Sequence, residues 1–207
     1  MESPAPDAAQ RARDRFLERI AIFKSFGYDR PAAVRFVVDH LQPVEVEILD
    51  VGTGQGVLAI ELARRGATVV SVDVSEEDQR AGVVNAEFEG LLPRITFRIL
   101  DAQKLPFPDG SFDAVATLNA LHHLDDGPAV FREMRRVVKP SGKILLAELT
   151  HEGFALVAKV HESEGRVHPV GSMTVSLAVE WFVSNGFRLI VAEERYLQSV
   201  AVLEKTD

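Results

Sequence analysis

The residues best able to do chemistry in this 207-residue chain are acids set beside glycines at the ends of apolar runs. Ile48-Leu49-Asp50-Val51-Gly52-Thr53-Gly54-Gln55-Gly56 stands between a predicted strand and a predicted helix. Glycines at such a turn let the backbone bend sharply and approach a ligand without Cβ clashes. The spacing is Gly-x-Gly-x-Gly, so the third glycine comes one residue earlier than in the dinucleotide fingerprint. Asp50, just before the loop, would repel a pyrophosphate and would suit a ligand carrying an ammonium group and a sulfonium. Asp73 follows 23 residues later, at the end of a Val-rich run. A carboxylate there can accept hydrogen bonds from both hydroxyls of an adenosine ribose, which a nicotinamide cofactor also carries.

A second set of groups could serve the reacting end. His122 and His123 follow the Phe112–Thr117 run, and Glu148 and His151 follow the last apolar run before a polar segment that holds His161 and His168. Imidazoles and carboxylates are the usual proton acceptors, so Glu148 and His151 are the candidate catalytic pair. His151, His161 and His168 could also bind zinc or iron, but their spacing matches no known ligand pattern, and no metal site is assigned.

The elements that must position these groups can be read from periodicity. Helical spacing of Phe16, Leu17, Ile20 and Phe23 predicts a first helix over 10–26, after an expected disordered tail over 1–9. Asp29-Arg30-Pro31 opens a second helix, completing a cap over 10–42. Short apolar runs then alternate with helical ones: strands over 46–51, 68–74, 95–99, 112–117 and 143–149, and helices after most of them. Ser75 with Asp78 reads as a capping box. A helix over 174–185 and two strands, 187–195 and 197–204, finish the chain. This predicts an α/β domain over 10–207 with a seven-stranded, mostly parallel sheet, one antiparallel strand and helices on both faces. Ligands of such sheets bind beyond the carboxyl ends of the strands, so the acids and histidines should share one cleft. The segment 150–173 would be its polar lid.

Composition excludes several functions. There are no cysteines, hence no disulfide, no thiolate nucleophile and no Cys-bound zinc. The net charge of −8 argues against a nucleic-acid partner, which requires clustered Lys and Arg. No apolar run reaches the ~20 residues of a membrane span, and Met1–Ala9 lacks the character of a signal peptide. A cytoplasmic protein with a small-molecule substrate is expected.

Four pieces in order now carry a resemblance: Leu49–Gly56; Val72-Asp73-Val74-Ser75; Asp101-Ala102-Gln103-Lys104-Leu105-Pro106-Phe107-Pro108-Asp109-Gly110-Ser111-Phe112-Asp113; and Arg136-Val137-Val138-Lys139-Pro140-Ser141-Gly142-Lys143. Together they resemble the class I S-adenosylmethionine-dependent methyltransferases, in the small-molecule branch that includes ubiquinone- and menaquinone-type methylases. The resemblance covers 47–149 and implies a Rossmann-like fold. It implies S-adenosyl-L-methionine as cofactor, S-adenosyl-L-homocysteine as product, and in-line methyl transfer to a small acceptor through O, N, S or C. By position, Gly52, Thr53, Gly54, Gln55 and Gly56 would pack against the methionine and ribose portions. Asp50 would order the loop and meet the amino group directly or through water, and Asp73 with Val74 would hold the ribose side. Asp101 and Ala102 would meet adenine. Asn119 and Ala120 would lie beneath the methionine end. Tyr28, His123, His161 and His168 would face the substrate. A cofactor-binding partner without turnover and a nicotinamide-dependent reductase are the competing readings.

Overall fold

The computed structural model describes residues 6–165 and 171–206. Two helices lead, α1 (Pro6–Ser25) and α2 (Arg30–Asp39). Then come β1 (Glu47–Val51), α3 (Val57–Arg64), β2 (Thr68–Asp73), α4 (Glu76–Phe88), β3 (Ile95–Ile99) and β4 (Phe112–Leu118). The chain continues through α5 (Gly127–Val137), β5 (Val138–Leu149), α6 (His151–Ser163), α7 (Val175–Ser184), β6 (Phe187–Arg195) and β7 (Gln198–Lys205). The seven strands lie in the order β3-β2-β1-β4-β5-β7-β6. Only β7 opposes its neighbours, β5 and β6, as the closing hairpin of the sequence requires.

Strand order reverses at the paired strands β1 and β4, and a crevice opens beyond their carboxyl ends. β1 lies between β2 and β4, and after the exposed Glu47 it is buried and apolar apart from Asp50. One face of the sheet is covered by α2 and α3 through Val37, Leu41, Leu58 and Leu62. The other is covered by α5 and α7 through Phe131, Met134 and Phe182. Each of these fully buried large side chains contributes roughly 2–3 kcal/mol of transfer free energy. A third, smaller cluster joins Phe23 and Tyr28 to Leu149, Val157 and Val160, and so seats α1 and α6 together as a roof.

Local chemistry explains the boundaries. Asp29 Oδ1 accepts from Ala32 N at 3.1 Å and caps α2, while Ser75 Oγ accepts from Asp78 N at 3.2 Å and caps α4 as its sequence suggests. Three expectations are corrected. α1 starts at Pro6, so 6–9 are helical rather than tail: Pro is tolerated in the first turn and Asp7 favours the positive end of the helix. Much of the expected lid is the helix α6, capped by Thr150 Oγ1 accepting from Gly153 N at 3.2 Å. β5 also begins at Val138 rather than Lys143, because Ser141 at φ 56° lets a bulge sit between Val138 and Lys143.

Candidate active site

The carboxyl ends of β1, β2 and β4 open into a cavity of about 530 Å³. It is lined by Gly52–Gln55, Asp73–Ser75, Leu100–Gln103, Asn119, Ala120, His123 and, from above, Arg30. Its volume falls in the ~300–1,000 Å³ range of small-molecule sites.

The glycine loop is shaped by what packs on it. Gly52 has φ 88°, and a Cβ there would collide with the Cβ of Ala120 on the β4 side. Gly56, at φ 78°, lies so close to Gly82 of α4 that a Cβ would come within 2.9 Å of its Cα. The loop is thus clamped between two elements, and Gly54 alone opens onto free space. Asp73 straps the loop to β2: Oδ2 accepts from Gly54 N at 3.0 Å and Oδ1 from Ser75 N at 2.9 Å. Each oxygen retains a lone pair for a ligand hydroxyl.

Asp50 does not line the cavity. It lies fully buried beneath the loop, where Oδ2 accepts from Ser71 Oγ at 2.7 Å. Ser71 Oγ pairs with Thr53 Oγ1 at 2.7 Å, and Gln79 Nε2 donates to Thr53 Oγ1 at 2.8 Å. Asp50 Oδ1 has no hydrogen-bond partner. Burial pushes this carboxyl up to about 7, and the nearby Asp73 adds to the rise.

Val74 is 70% exposed at the cavity lip, an unusual surface for an apolar side chain next to a buried strand. Asp101 Oδ1 accepts from Gln103 N at 2.8 Å and fixes the loop after β3, with Ala102 beside it in the wall. On the β4 side, Asn119 adopts φ 53°, a strained conformation for a residue with a side chain. Its backbone N donates to Ala147 O at 2.9 Å, and its buried Oδ1 has no partner.

The histidines and Glu148 divide differently from the sequence expectation. Glu148 is buried and fully engaged: Oε2 accepts from His122 Nδ1 at 2.7 Å and from His122 N at 3.2 Å, and Oε1 from Leu149 N at 2.8 Å. It therefore does not reach the cavity as a free base. His122 is wedged between Phe154 and His123, with ring centroids 5.0 Å and 3.9 Å away. His123 faces the cavity. Partial burial and the neighbouring His122 lower its pKa from the ordinary value. His151 stands exposed at the first turn of α6, outside the cavity wall. His161 is buried in the roof, 3.1 Å from Arg19 and edge-on to Phe23. His168 lies outside the described residues. Tyr28 is also roof rather than wall: it is 4% exposed, and its hydroxyl accepts from Gln198 Nε2 at 2.7 Å. Among the described residues no group of three His, Asp or Glu side chains is arranged to hold a metal ion.

Arg30 is the residue that the sequence reading missed. It lines the cavity, lies over the Phe23 ring at 5.1 Å, and has no carboxylate partner among the described residues. A cation in the first turn of a helix opposes the helix dipole, and that misfit was the available signal.

The cavity is a good match for an adenosyl sulfonium ligand. Its chemistry includes acceptors for a ribose diol at Asp73, an exposed apolar shelf at Val74, an orphaned carbonyl oxygen at Asn119 and an unpaired guanidinium at Arg30. An α/β fold with the reversal at β1/β4 and such a cleft has the architecture of sheets that bind nucleotide-type cofactors at a switch point. Residues 49–146 match the family model described as a methyltransferase domain. Over these residues the chain is similar to methyltransferase domains, whose methyl donor is S-adenosylmethionine.

The comparisons agree on the fold and differ in what they describe. A ubiquinone biosynthesis O-methyltransferase from Xanthomonas axonopodis is 32% identical over 69% of this chain and 60% of its own length. An S-adenosylmethionine-dependent methyltransferase structure from Aquifex aeolicus has a TM-score of 0.65 and 19% identity, covering 87% of this chain and 90% of that one. The (4+2)-cyclase SpnF has a TM-score of 0.69 and 19% identity, covering 84% and 81%. The chain spans between 39% and 60% of the length of the first curated relatives it matches.

Proposed function

We propose that this protein transfers a methyl group from S-adenosylmethionine to a hydroxyl of a small-molecule acceptor. The observation that carries the reading is the pairing, in one cavity, of Asp73 strapped to the glycine loop with the unpaired Arg30 and the orphaned Asn119 Oδ1 across from it. Asp73 would hold the ribose hydroxyls, Arg30 the donor carboxylate, and Asn119 the donor amino group. Asp101 and Ala102 would meet the adenine edge, with Val74 against its face. Asp50 would act from beneath by holding the loop through Ser71 and Thr53.

The donor supplies a methyl carbon already activated by a positively charged sulfur. What remains for the protein is positioning and exclusion of water, each a recognised source of rate. α1, α2 and α6 supply the roof through Phe23, Tyr28 and Val157. A hydroxyl acceptor is supported by the name of the O-methyltransferase relative. The net charge of −8 supports a small acceptor rather than a nucleic acid, and no described helix is long and apolar enough to cross a membrane. A cytoplasmic site of action suits a chain without cysteines.

The second reading is binding without methyl transfer, since the same fold serves a protein described as a cyclase. Incubation with methyl-labelled donor and a metabolite extract separates the two. Label entering a small-molecule fraction supports transfer; saturable donor binding with no label moved supports the second reading.

A further inference from the structure

The leading helices leave a second space beside the cofactor cavity. α1 is a beam held at two places. In its first half Arg13 donates to Asn85 Oδ1 at 3.3 Å and pairs with Glu89 just past α4, and near its end Phe23 is buried with Tyr28 and Ala33. Between these supports Phe16, Leu17 and Ile20 overhang a groove of about 290 Å³, whose other walls are α2 and α3. Val34 of α2 and Ile60 of α3 complete its apolar lining. The volume lies next to the ~300 Å³ at which small-molecule sites begin.

The charges around this groove do not balance. Four arginines, Arg13, Arg30, Arg35 and Arg64, line it against two glutamates, Glu61 and Glu89. That is the reverse of the whole chain, whose net charge is −8. Both glutamates are already engaged, Glu89 by Arg13 and Arg64, and Glu61 by Arg64 and Arg65. Arg30 and Arg35 of α2 are left over. Neither guanidinium has a hydrogen bond or ion pair with another described residue. Arg30 lies over the Phe23 ring, and Arg35 acts through space on Asp29, which Lys24 already holds at 2.9 Å. A cation drawn partly out of water without a counter-charge is costly, and a bound anion removes that cost. Arg30 and Val57 line both the groove and the cofactor cavity. A guanidinium has five N–H donors, more than a single carboxylate can use, so Arg30 can serve both spaces.

We propose that the groove between α1, α2 and α3 binds an amphipathic carboxylate, a molecule with one apolar chain and one negative end. The chain lies against Phe16, Leu17, Ile20, Val34 and Ile60 and withdraws the 47% exposed Leu17 from water. The carboxylate sits at the two arginines of α2 that the glutamates leave unpaired. The site adjoins the cofactor cavity through Arg30 and Val57 but does not depend on what that cavity holds.

The test is calorimetric titration of the full chain with octanoate, and with octylammonium as a probe of equal chain length and opposite charge. Octanoate should bind one-to-one, with or without saturating S-adenosylhomocysteine, and octylammonium should give no saturable heat. Arg35→Glu and Leu17→Glu, both at exposed positions, should each weaken octanoate at least about 10-fold while the chain stays folded by circular dichroism and keeps its S-adenosylhomocysteine affinity. Expulsion of octanoate by S-adenosylhomocysteine would place it in the cofactor cavity, and equal binding of octylammonium would reduce the groove to an apolar gap. Either result overturns the proposal, as does unchanged octanoate affinity in either variant or no octanoate binding at all. A wild-type chain that binds octanoate but not S-adenosylhomocysteine supports the groove site and refutes the reading of the cofactor cavity alone.

Discussion

The two sides of the cavity are built by opposite means. The β1/β2 side is made of short-range backbone devices: a clamped glycine loop, an acid that ties two backbone N–H groups, and a capped helix immediately after it. The roof and β4/β5 side are made of pairings between residues far apart in the chain. Tyr28 meets Gln198 across 170 positions, Arg19 meets His161 across 142, and His122 meets Glu148 across 26. A ligand common to a large family can be held by the first kind of construction. A ligand particular to one protein needs the second, in which side chains can be exchanged without altering the backbone.

That contrast sets the order of expected effects. The largest loss should follow from Asp73→Ala, which removes both the ribose acceptor and the strap on Gly54 N. S-adenosylhomocysteine affinity should fall about 100-fold, as expected when ~2–3 kcal/mol of charge-assisted hydrogen bonding is removed, and calorimetric titration reads it directly. An unchanged dissociation constant would break the assignment of the β2 end.

Arg30→Met should have a smaller effect on binding and the opposite sign for stability. Affinity for S-adenosylhomocysteine should fall roughly 10-fold, the value of one charge-assisted hydrogen bond. The ligand-free protein should melt no lower, because an unpaired, half-buried cation is replaced by an apolar chain of similar length. A large drop in melting temperature with unchanged affinity would make Arg30 a roof residue instead of a donor contact.

A third effect does not involve the ligand: it concerns Asp50 and is read through pH. Its folded value of about 7 lies above the ordinary 3.8, so the folded state holds a proton that the unfolded chain has already released between these values. Stability of the ligand-free protein should fall as pH rises from about 4 to 7 on this account and level off above, with a ceiling of about 4 kcal/mol. Asp50→Asn should remove that slope, so its melting-temperature advantage over wild type grows through this window and then stays constant. A variant that tracks wild type at every pH would show that the Asp50 carboxyl is solvated beneath the loop.

The same contrast explains what could be read without coordinates. Asp73, the glycines and Ser75 act within a few residues of their own backbone, so their order along the chain already states their geometry. The mostly parallel sheet with one antiparallel strand follows from the alternation of apolar runs with helices and from the closing hairpin, whereas the strand order does not. Asp50 stands beside the loop in the sequence, but the structure buries it beneath Thr53 and Ser71, which neighbours in sequence alone do not reveal. Glu148 and His151 stand three residues apart in the sequence, yet one lies in β5 and the other opens α6, and their side chains go to different places: Glu148 inward to His122, His151 outward to solvent. His161 belongs to the roof because α6 turns its buried face toward α1, a helix for which the polar segment gave no clear periodicity. Arg30 was concealed by its neighbours, since Asp29 and Pro31 account for a helix start without it.

The most direct test of the central claim is a calorimetric titration of the wild-type chain with S-adenosylhomocysteine and, separately, with NADH. Saturable one-to-one binding of S-adenosylhomocysteine, greatly weakened in Asp73→Ala, with no heat from NADH, is the predicted result. Binding of NADH with no response to S-adenosylhomocysteine would contradict the account.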